Sequence, residues 1–384
     1  MAKLIDICDI QYGYAFDSAC FTEDSSYPPL VRIRDVTRGF SETFYSGNYP
    51  KEYVIHAGDL LVGMDGEFNI ARWKSVDALL NQRVCKLSAK EGTNEEYLRF
   101  AMVKALKAIE DKTAFVTVKH LSAKELNKLE LDIPDIEEQN LRAECLVRLE
   151  RVIDFREEQL KCLDNLIKAR FVEMFGDPIK NPKGWKVATI GDVVTEVRYG
   201  TSKPAVEGGK YPYLRMNNIT LDGHLDLNDL KYIDIPDDEI EKCVVRKGDV
   251  LFNRTNSVEL VGKTAFFDLP QDMVIAGYII RLRLSEKMLP EVLVQYMNLE
   301  ALKKILRSMA KGAVNQANIN AQELQSIKLY IPDMDLQKQF IEMKGQVDKS
   351  KSISETHIFY AEKSITPTTP KIFLKGRCIY GNEF

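Results

Sequence analysis

The stretch EEQNLRAECLVRLERVIDFREEQLKCLDNLIKARFVEMF, residues 137–175, lies near the middle of the chain and decides its fold. It contains neither glycine nor proline, and almost every residue in it favours a helix. Its apolar residues recur at heptad spacing, which is typical of a helix that packs along a partner helix. At about 1.5 Å per residue it predicts a rod of roughly 55 to 60 Å. The heptad positions are Leu146, Ile153, Leu160, Ile167 and Met174.

The length and composition predict a globular protein of more than one domain. A chain of 384 residues is long enough for two or three domains, each with its own core. No apolar run reaches the length of a membrane span. Seven scattered cysteines without a CxxC pair, and a start that lacks a signal-peptide pattern, predict reduced thiols in the cytoplasm. A net charge of −4 shows no general basic excess, so any contact with DNA must be local or shared with a partner.

The segment after the rod repeats the segment before it. The matching pairs are YPPLVRIRDVT (27–37) with YPYLRMNNIT (211–220), YVIHAGDLLVGMDG (53–66) with CVVRKGDVLFNRTN (243–256), and LELDIPDIEEQ (129–139) with IKLYIPDMDLQKQ (327–339). They keep their order at an offset of about 190 residues, far beyond the 20 to 50 residues of solenoid repeats. The chain therefore holds two copies of a domain followed by a helix.

Local patterns predict individual elements within this plan. We expect an alternating strand at LVRIRDVT with Arg32 and Arg34 on one face, a buried strand at residues 60–62, a strand at 80–87 and a helix at 95–109.

The second long helix continues the heptad pattern and then loses it. Its apolar heptad positions are Leu336, Phe340, Met343 and Val347, and the next positions are Ser350, Ser354, His357 and Ala361. Pro367 and Pro370 exclude a helix beyond that point. The pattern predicts an α+β fold in which two similar globular domains are separated by two long helices that form an antiparallel coiled coil.

Motifs for catalysis are not found in the sequence. It contains no GxGxxG or Walker-type phosphate loop and no amino-methyltransferase motif. Asp59, Asp65 and Glu67 are close enough in sequence to suggest a metal-dependent nuclease, but a turn aspartate with two loop acids explains them more simply.

Side chains suited to reading DNA bases are better represented, on three runs of the second copy. Asparagine suits bidentate contact with adenine, arginine suits guanine, and lysine suits phosphate. Asparagine also favours turns for backbone reasons, so any single residue can equally belong to a turn. The predicted DNA-binding residues of the second copy are Arg215, Asn217, Asn218, Asn253, Arg254, Thr255, Asn256, Lys263, Asn315 and Gln316.

The equivalent places in the first copy carry different side chains. They are Arg32, Arg34, Asp65, Glu67, Asn69, Arg72, Gln82 and Arg83. Two loops of different chemistry on one repeated framework predict two different target sequences.

These features together resemble the specificity subunit of type I restriction-modification enzymes, over residues 1–365. The resemblance is carried by the repeated Gly-Asp turn before an apolar strand (Gly58-Asp59 and Gly248-Asp249), by FNRTNSVELVGKTA (252–265), by the IPD segment before each long helix, and by ARFVEMFGDPIKNPKGW (169–185) between the copies.

The resemblance implies a division of labour. Two target recognition domains each read half of a bipartite site in double-stranded DNA, and the helices set the spacing and dock modification subunits, two per chain. Those subunits supply S-adenosylmethionine and adenine methylation, and restriction motor subunits that use Mg²⁺ and ATP are further partners. This chain is then non-catalytic, without a metal or cofactor of its own and without a membrane partner. The implied boundaries are 1–135 and 179–333 for the recognition domains, 136–178 and 334–366 for the helices, and 367–384 for a divergent tail.

Three alternatives stay open at this point. The weakened heptad pattern after Val347 and the unrelated tail suggest a truncated or regulatory member of the family that binds modification subunits or DNA without forming an active enzyme. The carboxylates suggest the nuclease described above. A purely structural coiled-coil adaptor is the third, although it does not explain why the loops of the two copies differ.

Overall fold

The computed structural model describes residues 1–66, 68–112, 120–310 and 317–365. The chain divides into two compact units, Met1–Glu157 together with residues from 355 onward, and Glu158–Ser354. Both long helices cross this division. Within the described residues, no helix combines the length and the hydropathy needed to cross a membrane.

The described residues of the first unit form short strands, four α-helices and the start of the long central helix. Its strands are β1 (Ala2–Lys3), β2 (Cys8–Tyr12), β3 (Phe21–Thr22), β4 (Leu30–Val31), β5 (Phe44–Tyr45), β6 (Val54–Ile55), β7 (Leu60–Gly63), β8 (Ile70–Arg72), β9 (Ala78–Leu80), β10 (Val84–Ala89) and β11 (Glu130–Leu131). Its helices are α1 (Leu4–Ile7), α2 (Ile33–Arg38), α3 (Glu95–Lys112), α4 (Ala123–Asn127) and the central helix α5 (Ile136–Phe175).

The second unit follows the same plan. Its strands are β12 (Lys186–Thr189), β13 (Val194–Tyr199), β14 (Tyr211–Leu214), β15 (Lys231–Ile233), β16 (Val244–Val245), β17 (Val250–Asn253), β18 (Thr255–Asn256), β19 (Thr264–Phe266), β20 (Met273–Ile275), β21 (Ile279–Leu284), β22 (Ala317–Asn318) and β23 (Lys328–Ile331). Its helices are α6 (Ile190–Val193), α7 (Ile240–Cys243), α8 (Pro290–Met297), α9 (Glu300–Met309), α10 (Ala321–Gln325) and the distal helix α11 (Met334–Ile365).

The strand order of the sheets confirms the duplication. The larger sheet runs β2-β10-β7-β8 in the first unit and β13-β21-β17-β19 in the second, and every neighbouring pair is antiparallel. In the second sheet β4 is parallel and β6 antiparallel to β9, as β14 and β16 are to β20. The second unit adds β15 at the edge of that sheet. A two-stranded pair, β1-β11 or β12-β23, lies before each long helix.

The repeated Gly-Asp motif forms the turn that leads into the buried central strand of each larger sheet. Gly58 and Gly248 have φ angles of 98° and 102°, which glycine adopts without steric cost. Asp59 and Asp249 each accept, through Oδ2, the backbone N–H three residues earlier at 2.9 Å. The motif is therefore a structural turn, which explains its presence in both copies.

Most of the locally predicted elements are present, and one is wrong. The buried strand at 60–62 and the helix at 95–109 are confirmed as β7 and α3, and the strand expected at 80–87 forms from Val84 as β10. The alternating strand expected at LVRIRDVT stops at Val31, and helix α2 follows it. Asp35 accepts the backbone N–H of Arg32 at 2.9 Å and so favours a helix start over an extended chain.

Each unit buries its larger sheet beneath helices. In the first unit, Leu98, Met102 and Leu106 of α3 belong to one core with β7 and β10. In the second, α8 and α9 share a core with β17 and β21, and the carboxyl end of α5 enters the same core.

The two long helices pack antiparallel within the second unit. Phe171 of α5 lies against Phe340 of α11 with ring centroids 5.3 Å apart. Earlier on α5 and later on α11, Asp164 Oδ1 accepts from Lys351 Nζ at 2.7 Å. Because one helix is followed backwards as the other is followed forwards, the partners run in opposite directions. The predicted heptad residues are buried at Leu146, Ile167, Phe340 and Val347, and half-buried at Ile153, Leu160, Met174, Leu336 and Met343.

The apolar heptad pattern of the distal helix weakens after Val347, as the sequence indicated, but the helix continues to Ile365. Of the next heptad positions, Ser350 and His357 are exposed and Ser354 and Ala361 are buried, and Lys351 beside Ser350 is also buried. Ser354 Oγ donates to Gln159 Oε1 at 3.1 Å. Polar pairs and a small residue replace leucine, so the contact surface persists where apolar periodicity is lost.

Candidate nucleic-acid interface

The chain that leaves the buried strand β17 carries the predicted recognition residues Arg254, Thr255 and Asn256. The sequence predicts a loop here, whereas Thr255 and Asn256 form β18 and pair antiparallel with β22. Thr255 Oγ1 donates to Asn318 Oδ1 at 3.1 Å, so the polar segment 253–256 contacts the polar segment that contains Asn318. The predicted residues Asn315 and Gln316 lie outside the described residues.

Arg254 is held in place from both sides. Its N–H donates to the carbonyl of Tyr278, and its own carbonyl accepts from Ile319, each at 2.9 Å. The guanidinium carbon lies 4.8 Å from the ring centroid of Tyr199, a cation–π contact. The side chain is half-buried, and its buried Nε has no hydrogen-bond partner among the described residues. The arrangement presents a pre-positioned cation with one donor unsatisfied.

Three other predicted contact residues of the second copy are buried and support this surface from beneath. Asn253 and Lys263 both donate to the carbonyl oxygen of Met216, at 3.5 and 2.7 Å. Asn218 accepts from the N–H of Arg215 at 2.8 Å and donates to the carbonyl of Asp226 at 2.8 Å. They hold the 215–218 turn against β17.

Thr255 is also buried, whereas Arg215, Asn217 and Asn256 are accessible. Asn217 is exposed on the 215–218 turn, and Asn256 is half-buried on β18. The guanidinium of Arg215 donates to Asp229 at 2.7 Å, which neutralises its charge in the free protein. The accessible side chains that carry recognition chemistry are thus Asn217, Arg254 and Asn256.

Two buried lysines lie under this surface, Lys263 and Lys303, and only Lys263 is among the residues predicted from the sequence. Lys303 on α9 is 7% exposed, and its Nζ donates to the carbonyl of Gly262 at 2.8 Å. Burial lowers its pKa to about 8, with further lowering by Arg307 and Lys263. Burial also lowers the pKa of Lys263. The signal that could have found Lys303 is its position next to the buried Leu302 on an amphipathic helix.

In the first unit, a charged cluster follows the equivalent strand β7. Asp65 contacts both the guanidinium of Arg83 and Nδ1 of His120. His120 also forms an isolated β-bridge with Asp65. The fold thus places His120, which is not among the residues predicted from the sequence, beside two predicted recognition residues.

The other predicted residues of the first copy are dispersed. Arg32 and Arg34 are exposed at the start of α2, and Gln82 is exposed in the turn before β10. Arg72 is paired with Glu95 at 2.7 Å and with Glu96 at 2.5 Å, so its charge is already neutralised by α3. Asn69 is half-buried between β7 and β8, and Glu67 lies outside the described residues.

The acids that suggested a nuclease have separate contacts. The carboxylate of Asp59 holds the turn before β7 and lies 3.6 Å from Nζ of Lys86. Asp65 is engaged by Arg83 and His120. In the described residues these two acids are therefore held by different cations.

Comparison with known proteins extends these observations. The sequence profile of the type I restriction modification DNA specificity domain matches residues 1–164 and again residues 182–358. The specificity subunit of the type I restriction enzyme EcoBI of Escherichia coli is 32% identical over 286 residues, which cover 67% of this chain and 60% of that protein. The specificity subunit of EcoKI from Escherichia coli K12 is 22% identical over 380 residues, covering 91% of this chain and 82% of that one.

A solved structure shares the fold. The S subunit of a type I restriction-modification system from M. genitalium superposes with a TM-score of 0.53 at 14% identity, covering 96% of each chain. The two matches of the family profile coincide with the two copies of the repeated sheet and together span most of the sequence. The chain belongs to the type I restriction-modification DNA specificity family.

Proposed function

We propose that this chain is the sequence-specific DNA-recognition subunit of a type I restriction-modification complex in the cytoplasm. Each unit reads one half of a bipartite site in double-stranded DNA, and the paired helices α5 and α11 set the spacing between the halves. One observation carries the proposal. The same sheet occurs twice in the same strand order, but the end of its buried strand carries different side chains: Arg254 and Asn256 in one unit, and Asp65, in contact with Arg83 and His120, in the other.

The chemistry of these two sites suits base reading. Arg254 presents a guanidinium positioned against Tyr199, and the terminal nitrogens of such a group suit a guanine edge or a phosphate. Asn217 and Asn256 offer amides suited to adenine. In the first unit Arg83 and His120 offer donors, while Asp65 offers an acceptor for the amino group of cytosine. The two sites therefore favour two different sequences.

The partners follow from the same division of labour. Modification subunits, two per chain, dock on the helices and hold S-adenosylmethionine, and restriction motor subunits use Mg²⁺ and ATP. The net charge of −4 supports sharing the grip on DNA with such partners, because phosphate contacts dominate affinity. This chain supplies recognition and spacing, and the methyl transfer takes place on the partners.

A truncated or inactive regulatory protein is the second candidate, suggested by the loss of leucine from the distal helix. The Lys351–Asp164 and Ser354–Gln159 hydrogen bonds keep that helix packed beyond Val347. This continuity favours the working subunit.

The test is methylome sequencing of cells that express this chain together with its partner modification subunit. The expected result is methylated adenine in a bipartite motif with one fixed gap. A matched pair of variants sharpens it: Arg254→Ala should change only one half of the motif, and Arg307→Ala, which removes an arginine ion-paired to Glu300 on α9, should change neither. Failure of the expressed wild-type complex to methylate any bipartite motif would refute the proposal.

A further inference from the structure

Each long helix begins with the same buried glutamine. Gln139 on α5 is 1% exposed and Gln337 on α11 is 0% exposed, although glutamine is usually a surface residue. Both follow the IPD segment that precedes each helix, at equivalent places in the two copies.

The two amides make matching hydrogen bonds. Gln139 Oε1 accepts from the N–H of Asn94 at 2.9 Å, while its Nε2 donates to the carbonyls of Gly92 and Pro134 at 3.1 and 2.9 Å. All three partners of this side-chain amide are backbone atoms. One side chain therefore ties the first turn of α5 to the chain segment that starts α3.

In the second unit the pattern recurs atom for atom. Gln337 Oε1 accepts from the N–H of Leu289 at 2.9 Å, and its Nε2 donates to the carbonyls of Lys287 and Pro332 at 3.2 and 2.9 Å. Here the amide ties the first turn of α11 to the segment that starts α8. The two units thus attach to their long helices by the same device.

Such an attachment is rigid for a physical reason. The acceptor and both donors of the amide are engaged, so a rotation of the helix relative to its unit would break buried hydrogen bonds that water cannot replace. The stretch of α5 from Gln139 to Glu157 spans roughly 27 Å at about 1.5 Å per residue. A tilt of about 7° at the glutamine would displace the far end by roughly 3.4 Å, the rise of one base pair.

We infer that Gln139 and Gln337 are positioning residues, which hold each recognition unit at one orientation on its spacer helix and thereby keep the gap between the two half-sites single-valued. This inference rests on the proposed function. The glutamines touch neither base nor phosphate; they act through the orientation of the surfaces that do.

The experiment measures the gap itself. Complexes of the full chain with its modification subunit carry Gln139→Met or Gln337→Met, which keep the side-chain length and remove the hydrogen bonds. The matched control is Gln339→Met on the exposed face of α11. Methylome sequencing records the motif and its gap, and thermal unfolding records the folded state.

We expect both anchor variants to keep the wild-type half-site sequences while methylation spreads to sites with a gap one base pair longer or shorter, and the control to keep a single gap. A merely stabilising role would lower the melting temperature and the extent of methylation without adding new gaps, and that result would overturn the inference. Failure of both anchor variants to fold would overturn it too, because the contacts would then be needed for folding and not for orientation. Absence of any motif with the wild-type chain would instead refute the proposed function.

Discussion

Phe340→Ala tests whether the pairing of the two long helices depends on the aromatic cluster of the second unit. The Phe340 ring is fully buried, and its centroid lies 5.3 Å from that of Phe171 and 5.5 Å from that of Phe175, both edge to face. Truncating a buried phenylalanine costs about 3 to 5 kcal/mol. Since two aromatic partners lose their contacts at once, we expect the upper half of that range.

The effect is measured by urea and thermal unfolding of the chain, followed by the helical signal in circular dichroism. For a unit of this size, a loss of this magnitude corresponds to a fall in the melting temperature of roughly 10 °C. Phe359→Ala is the matched control, because Phe359 lies on the same helix with an exposed ring, and its truncation should change the stability by less than about 0.5 kcal/mol. Equal stability of the two variants would refute the packing described for α5 and α11.

Three further changes have defined outcomes. Arg254→Ala should weaken binding by about 1 to 3 kcal/mol and relax only one half-site in competition binding with variant duplexes; an equal effect of Arg307→Ala would contradict that assignment. Burial lowers the pKa of Lys303 from 10.5 to about 8, so the unfolded chain keeps this proton to a higher pH than the folded chain does. The free energy of unfolding should therefore rise between pH 8 and 10.5, by on the order of 3 kcal/mol. Lys303→Met should abolish that rise, measured by urea unfolding at several pH values. If the free energy of unfolding of the variant rises with pH as it does in the wild type, the assignment to Lys303 is wrong. Asp164→Leu should destabilise the second unit more than the double variant Asp164→Leu with Lys351→Met does, because the single change leaves a buried ammonium unpaired. A double variant that is less stable than the single variant would show that the unpaired ammonium is not the cause.

Some features could be read from periodicity and turn chemistry alone. The heptad spacing from Leu146 to Met174 specifies a long helix with a partner, because only a helical period keeps those side chains on one side. The Gly-Asp turn specifies the start of a buried strand, since a positive φ and a carboxylate that accepts a backbone N–H are local requirements. The repeat of these local patterns predicted the two similar domains.

The predicted recognition residues needed the fold to be sorted. Asn253 and Lys263 are polar residues in a loop-like sequence, yet tertiary packing buries both against the carbonyl of Met216. His120 lies far from Asp65 along the chain, and the fold brings the two together. Residue type indicates what a side chain can bind, whereas exposure depends on segments distant in sequence.

The sequence by itself therefore determined the α+β class, the duplication and the two long helices, because these depend on patterns within a short window. Only the tertiary structure decided that Lys351 and Ser354 continue the helix contact after the leucines end, since their partners Asp164 and Gln159 belong to the other helix. It likewise decided that Arg254 is held ready against Tyr199, because that contact joins the ends of two different strands. Contacts between single polar side chains of distant segments leave no period in the sequence, and they determine which polar side chains remain available for recognition.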